Sequence, residues 1–307
     1  MANVLYIGGC TRSGSTLLDR ALGQLPGFLS TGELGLMAEN GVQDNRLCGC
    51  GARFLDCPFW KAVGDRAFGG WDSPDARELI ALRPSVDRHR YLPFILLPFL
   101  SAQFAERLHR YVALLGKVYE ALHEVGEAEV VVDSTKAPAY AFLLRRVPGL
   151  ELRIVHLVRD SRGTAFSASK RFVVKDSIDQ EVWKLRYPPV IITSRWVVYH
   201  LLFDLLQLLD RQQLLVRYED FVRAPRETLQ RILAYLTKST DEDSLAFATP
   251  GAMRLDVHHT LAGSDMRLTH GLIQIREDDE WRRSLSRRNR RLVTLLSWPL
   301  LKRWGYT

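Results

Sequence analysis

Four short apolar runs punctuate the chain, at residues 4–8, 129–133, 152–158 and 213–217. None alternates apolar with polar positions as a half-exposed strand does. Each therefore predicts a strand covered on both faces, the habit of parallel sheets. Between them, apolar residues recur at helical spacing. Residues 17–25 predict a helix directly after the first strand, and 104–125 a long amphipathic helix leading into the second. Residues 189–209 predict another that feeds the fourth strand, and 226–237 close the pattern. Strands alternating with helices place the chain in the α/β class, three layers with a central parallel sheet flanked by helices.

Two stretches break the alternation. Residues 41–91 carry three cysteines, many glycines and prolines and mixed polarity, which predicts an insertion over one face of the sheet. Residues 246–278 read as a long irregular loop of the kind that closes over a site. No linker-like segment divides the chain, so one domain over 1–307 is expected. No repeat or low-complexity tract is visible, which argues against solenoids and disordered scaffolds. The net charge of +7 suits a polyanionic small ligand, nucleic acid or an acidic membrane surface without choosing among them. The N-terminus lacks the basic segment of a signal peptide, and the apolar stretches 91–100 and 197–209 read as too short or interrupted to span a bilayer. A cytoplasmic protein is the expectation.

The candidate chemistry starts at the end of the first strand. Residues 8–18 read Gly-Gly-Cys-Thr-Arg-Ser-Gly-Ser-Thr-Leu-Leu and open the first helix. Glycines let the backbone fold tightly against a ligand, and free amides at a helix start bind phosphate oxygens. Arg12 adds a guanidinium able to grip an anion bidentately, while Ser13, Ser15 and Thr16 add hydroxyl donors around Gly14. The fold expectation thereby narrows to a P-loop-type architecture. The Gly-Lys-Ser/Thr of nucleoside triphosphatases is missing, which weakens a kinase reading. A second anion site is predicted after the third strand, in Leu-Val-Arg-Asp-Ser-Arg-Gly-Thr-Ala-Phe-Ser from residue 157. Arg159 stands at a strand's C-terminal edge, where open α/β sheets bind ligands, and Asp160 or Ser161 can cap the next helix. Ser167 follows about two turns on.

These two motifs resemble the anchors of sulfotransferases that use 3′-phosphoadenylyl sulfate (PAPS). The loop is similar to their 5′-phosphosulfate loop, Gly-x-Pro-Arg-Ser-Gly-Thr/Ser-Thr-Leu-Leu, with Thr11 for the usual proline. Arg159 and Ser167 match the 3′-phosphate motif, Arg-Asp-Pro-Arg-Ala-x-x-x-Ser, with Ser161 for proline. Residues 216–225 look like the family's Arg-Tyr-Glu-Asp-Leu stretch, to which no chemistry is given. Residues 263–267 resemble a Gly-Asn-x-x-Arg loop over the nucleotide, which implies Gly263 and Arg267 as nucleotide contacts, with Ser264 in place of asparagine. Trp281-Arg282 and Gly305-Tyr306 also fit. The resemblance spans nearly the whole chain and lies nearest the bacterial and tyrosylprotein-type branch.

The resemblance implies PAPS as donor, PAP as product and no required metal. By analogy with phosphoryl transfer, positioning and charge stabilisation dominate such chemistry. Arg12 and the loop amides are the first candidates to stabilise charge on the leaving oxygen. Lys136, after the strand that ends in Asp133, is the second; lysines here contact the transferring group in the resembling families. Asp133 is read as structural or lysine-orienting. An acceptor hydroxyl needs a base. Ser30 and Glu33 have capping-box spacing, yet Gly32-Glu33 matches the position of the base in tyrosylprotein sulfotransferases, so Glu33 is the choice, with His258 and His259 as competitors. The acceptor, whether small molecule, carbohydrate, lipid or peptide, is expected between residues 41–120 and 172–200. A P-loop kinase and a non-catalytic nucleotide-binding relative stand as alternatives.

Cys48, Cys50 and Cys57 read as free thiols or one disulfide more readily than as a zinc site, which wants a fourth ligand. Cys10 and several histidines are available, and nothing in the sequence places them. Residues 282–304, with Arg287, Arg288, Arg290 and Arg291, form a basic amphipathic segment. It reads as a solvated helix face or as a peripheral contact with anionic lipid. Nothing resembles a nucleic-acid module.

Overall fold

A computed structural model describes residues 2–170, 173–174, 182–183, 186–209, 212–238 and 242–306. Its centre is a five-stranded sheet. The strands are β1 (Ala2–Gly9), β2 (Phe28–Ser30), β3 (Val130–Lys136), β4 (Leu150–Val158) and β5 (Gln213–Arg217), in the order β2-β3-β1-β4-β5. All pairings are parallel, with Val4 beside Val131 and Leu152, for example. Alternate residues of β1 explain its unbroken apolar run. Val4 and Tyr6 pack into one core and Leu5 and Ile7 into another on the opposite face. Both faces are covered, so neither set can be polar.

The α-helices of six or more residues are α1 (Ser15–Leu22), α2 (Pro58–Phe68), α3 (Pro74–Val86), α4 (Ala102–Val125), α5 (Pro138–Leu144), α6 (Ser161–Ser169), α7 (Pro189–Leu209), α8 (Tyr218–Arg223), α9 (Pro225–Tyr235) and α10 (Arg287–Arg303). The first core holds α4 and α5, with α2 and α3 stacked on α4; the second holds α1 and α9. This is the three-layer α/β fold expected. The chain visits β2 and β3 on one side of β1, then β4 and β5 on the other. Such a reversal opens a crevice at the C-terminal ends of the central strands.

Four sequence expectations change. A fifth strand, Phe28–Ser30, pairs with β3. The insertion is largely helical: Pro58 and Pro74 start α2 and α3, and Ser73 caps α3 through the Ala76 amide. The region 246–278 contains a small antiparallel sheet of Ala248–Thr249, Ala252–Leu255 and Gly271–Gln274. Finally, α7 is one continuous helix of 21 residues, long and apolar enough to cross a bilayer where the sequence reading took its apolar part as too short. Here a third of that window is buried, and α7 packs on α6 and α10 through Ile192, Trp196 and neighbours.

Candidate active site

The crevice is filled from the sheet side by the loop between β1 and α1. Gly14 begins α1 with a left-handed φ of 88°, and a Cβ there would stand 2.3 Å from the Tyr218 ring, so only glycine fits. No side chain caps α1 and no acid stands in its first turn. Its opening amides and positive dipole end are thus left to an anion. Arg12 and Lys136 are non-glycine residues with φ of 67° and 68°. Such strained conformations cluster at functional sites, and here both carry cations into the same cleft.

At one end of the cleft, Arg12 Nε donates to Ser167 Oγ at 3.0 Å, and Arg159 Nη1 donates to the Arg12 carbonyl at 2.7 Å. Asp160 caps α6 through the Arg162 amide, which fixes the helix that carries Ser167. Arg159 is only 6% exposed, lies 4.6 Å over the Tyr218 ring and pairs with Asp278 at 2.8 Å. Burial pushes the Arg12 guanidinium below its ordinary range; neighbouring Arg159 adds to this and Asp278 opposes it. An anion entering here relieves two adjacent cations at once.

At the other end, Lys136 Nζ lies 2.6 Å from Glu33 Oε1 and donates to the Ser134 carbonyl at 2.9 Å. Glu33 is set by its backbone: its amide donates to the Leu261 carbonyl at 2.8 Å. That contact requires Gly32, where a Cβ would stand 2.3 Å from the Leu261 oxygen. Gly263 closes over this end, its α-carbon side facing Thr16 and Glu33. Ser30 does not form a capping box with Glu33. Its hydroxyl donates to Asp19 at 2.9 Å, and Ser134 donates to the other Asp19 oxygen at 3.0 Å. Burial raises Asp19 to about 7, with both hydroxyls opposing the shift.

The structure thus brings Arg12, Gly14, Ser15 and Thr16 together with Glu33 and Lys136, and joins them to Arg159, Ser167 and Gly263. It does not bring two others. Ser13 is 2% exposed, and its hydroxyl is buried beneath the loop without a hydrogen-bond partner among the described residues. Arg267 is 1% exposed and donates to the Leu47 carbonyl at 3.1 Å, bracing the insertion from behind the cleft. The competing histidines also lie elsewhere. His258 contacts Gln24, and burial, with Arg20 adding, pulls it down to about 4. His259 stands among the cysteines. Asp133 does not touch Lys136 Nζ; it accepts from the Thr135 amide at 2.8 Å and the Tyr119 hydroxyl at 2.6 Å. Of the region expected to border the acceptor, residues 172, 175–181 and 184–185 lie outside the described residues.

Sequence reasoning missed Tyr218 and Asp278. The signal for Tyr218 was its place directly after β5, at the same sheet edge as Arg159. Asp278 has no local signal.

Comparison with known proteins bears on this site. A profile described as "Sulfotransferase family" matches residues 68–242. A search of curated proteins finds no match. Among solved structures, the sulfotransferase domain of the Synechococcus PCC 7002 olefin synthase is 21% identical, covering 96% of this chain and 94% of that one, with a TM-score of 0.50. The sulfotransferase domain of the curacin biosynthetic pathway is 17% identical over 97% and 98%, with a TM-score of 0.49. Retinol dehydratase, solved with retinol and PAP, is 13% identical over 97% and 81%, with a TM-score of 0.42. The olefin synthase domain supports the P-loop-type fold, and the profile, matching more than half of the chain, carries the assignment: this chain belongs to the sulfotransferase family.

Proposed function

We infer that the protein transfers a sulfuryl group from PAPS to a hydroxyl or amine, giving PAP and a sulfated product. One observation carries this: the loop of Arg12, the Arg159–Ser167 cradle and the Glu33–Lys136 pair meet in one cleft at the sheet's C-terminal edge. In this reading Arg12, Ser15, Thr16 and the loop amides hold the 5′-phosphosulfate, and Arg159 with Ser167 holds the 3′-phosphate. Glu33 takes the acceptor's proton as the acceptor oxygen or nitrogen bonds to sulfur. The sulfur–oxygen bond to the 5′-phosphate breaks, and its electron pair stays with PAP. Lys136 has three N–H donors, and its described contacts use two, toward Glu33 and Ser134. The third fits the oxygen on which charge grows. Gly263 and its neighbours shield that end from water.

The acceptor is of a class that fits beside Glu33: a small molecule, carbohydrate, lipid or peptide. A lipid acceptor would suit the outer side of α10, where Leu295 and Trp298 are exposed beside Arg290 and Arg291.

A thermal-shift comparison tests the donor. PAP should raise the apparent Tm more than AMP or ATP at equal concentration, since only a native-state ligand does so. A larger, Mg²⁺-dependent shift with ATP would favour a kinase. A PAP shift with no sulfuryl transfer to any of a hydroxyl and amine acceptor panel would favour a non-catalytic relative.

A further inference from the structure

The three cysteines of the insertion do not stand alone. The chain returns 202 residues after Cys57 to place His259 beside them, with Nδ1 3.2 Å from Cys57 Sγ and 3.7 Å from Cys48 Sγ. Cys50 Sγ lies 3.7 Å from Cys57 Sγ, and all four donor atoms fall within 4.8 Å of one another. A tetrahedral zinc ion with Zn–S bonds near 2.3 Å separates neighbouring sulfurs by about 3.8 Å, and a sulfur from an imidazole nitrogen by about 3.5 Å. The three contact distances are close to those edges, the remaining separations stay within 4.8 Å, and the 3.7 Å between Cys50 Sγ and Cys57 Sγ is far too long for a disulfide.

We propose that Cys48, Cys50, Cys57 and His259 bind one structural zinc ion. The donor set is Cys₃His, the chemistry of closed zinc sites, with every tetrahedral position taken by protein. Binding converts three thiols to thiolates and releases their protons, while His259 coordinates through neutral Nδ1. The surroundings hold the ligands in place. Phe59 stacks on the His259 ring at 4.8 Å and 11°, and Trp60 Nε1 donates to the His259 carbonyl at 3.0 Å. The Cys48 amide donates to the Ala52 carbonyl at 2.8 Å, and the Gly51 amide returns to the Cys48 carbonyl at 2.9 Å, folding the Cys-Gly-Cys turn. Cys48 and Cys57 are buried and Cys50 is partly exposed, which leaves a route of entry.

The ion would join two segments that share no other covalent or coordinate link. Residues 47–57 begin the insertion, and 257–263 cross from it to the active site. Leu261 bridges both Cys48 and Gly32, and the Gly49 amide donates to the Thr260 carbonyl at 2.9 Å. The next contact along this path is the Glu33 amide on the Leu261 carbonyl. Zinc therefore fastens the strap that aligns Glu33 and carries Gly263.

The test is metal analysis of the full chain, purified under reducing conditions. Plasma mass spectrometry should find about one zinc per chain. Cys50→Ser and His259→Ala should each lower this strongly, while Cys10→Ser, remote from the cluster, should not. Reconstitution of the stripped protein with Co²⁺ should give the thiolate charge-transfer and tetrahedral d–d absorption of a sulfur-rich site. Stripping the wild type with a chelator should speed amide exchange in 47–57 and 257–263 first. Stripping keeps the sequence intact, so this arm holds even where a variant fails to fold. The proposal is overturned by a chain that stays metal-free after Zn²⁺ addition with its thiols all titrating. A two-dalton mass deficit mapping to a disulfide within the cluster overturns it as well, as does unchanged zinc in a folded Cys50→Ser variant. None of these readouts depends on the donor or acceptor of the reaction.

Discussion

The two ends of the cleft are built alike and behave differently. Each sets a cation from the sheet edge against a carboxylate: Arg159 against Asp278, and Lys136 against Glu33. Asp278 comes from the end of the late region and is about a third exposed, while Glu33 is held from beneath by the backbone contact to Leu261. In the proposed reading the first carboxylate is a partner that an incoming phosphate displaces, and the second is fixed where the reacting group meets it. One end is suited to anchoring and the other to chemistry, and the difference lies in what supports the carboxylate, since the cations themselves are similarly buried.

The largest expected effect separates these roles. Glu33→Gln should cut turnover by about 100- to 10,000-fold, the usual contribution of a positioned general base. PAP affinity should stay within about threefold of wild type, because the amide keeps the shape and the anchoring end is untouched. Stopped assays with a responsive acceptor and PAP titration give the two numbers. Unchanged turnover would end the assignment of Glu33 as base.

At the anchoring end the effect should fall on affinity. Arg159→Ala should weaken PAP by about 10- to 100-fold, the worth of hydrogen bonds to a charged group. Adenosine 5′-phosphosulfate, which lacks the 3′-phosphate, should lose much less. Equal losses for both nucleotides would remove Arg159 from the 3′-phosphate. Asp278→Asn is the opposite probe. It takes away the competing carboxylate, and PAP should bind a few-fold more tightly, in line with the modest strength of a partly exposed ion pair. Weaker binding would mean that Asp278 orients Arg159 and does not compete for it.

How far the sequence showed these two ends follows from distance along the chain. Arg12, and Arg159 with Ser167, lie in continuous stretches that join a strand to a helix, so position alone placed them at the sheet edge. The strands β1, β3 and most of β4 were legible because burial on both faces leaves an unbroken apolar run, whereas the edge strand β5 is apolar with only Val216 buried. The three-residue β2 offered no such run, and Pro58 and Pro74 looked like breaks although they are starts: proline at a first helical position loses no hydrogen bond. Arg267 was expected at the nucleotide because residues 263–267 resemble a Gly-Asn-x-x-Arg loop. A short helical turn, Asp265–Leu268, sends its side chain inward to Leu47 instead. His259 and Asp278 carry no local pattern. Their partners are Cys57 and Arg159, 202 and 119 residues away, and only the folded chain pairs them.

The smallest expected effect concerns what lies under the reacting end. Asp19 receives the hydroxyls of Ser30 and Ser134, one just before Glu33 and the other just before Lys136. Burial raises this carboxyl from 3.8 to about 7. A carboxyl raised on folding holds its proton more tightly in the native state. Its contribution to stability is therefore complete below pH 3.8 and is lost as pH climbs towards 7. Asp19→Asn keeps an acceptor for one hydroxyl and removes the titration. The Tm of the variant relative to wild type should therefore rise steadily across that interval and level off above it. A constant difference would show that Asp19 is ionised throughout. The two hydroxyls would then be stabilising a buried charge, and the reacting end would rest on an electrostatic brace where a neutral hydrogen-bonded one is expected.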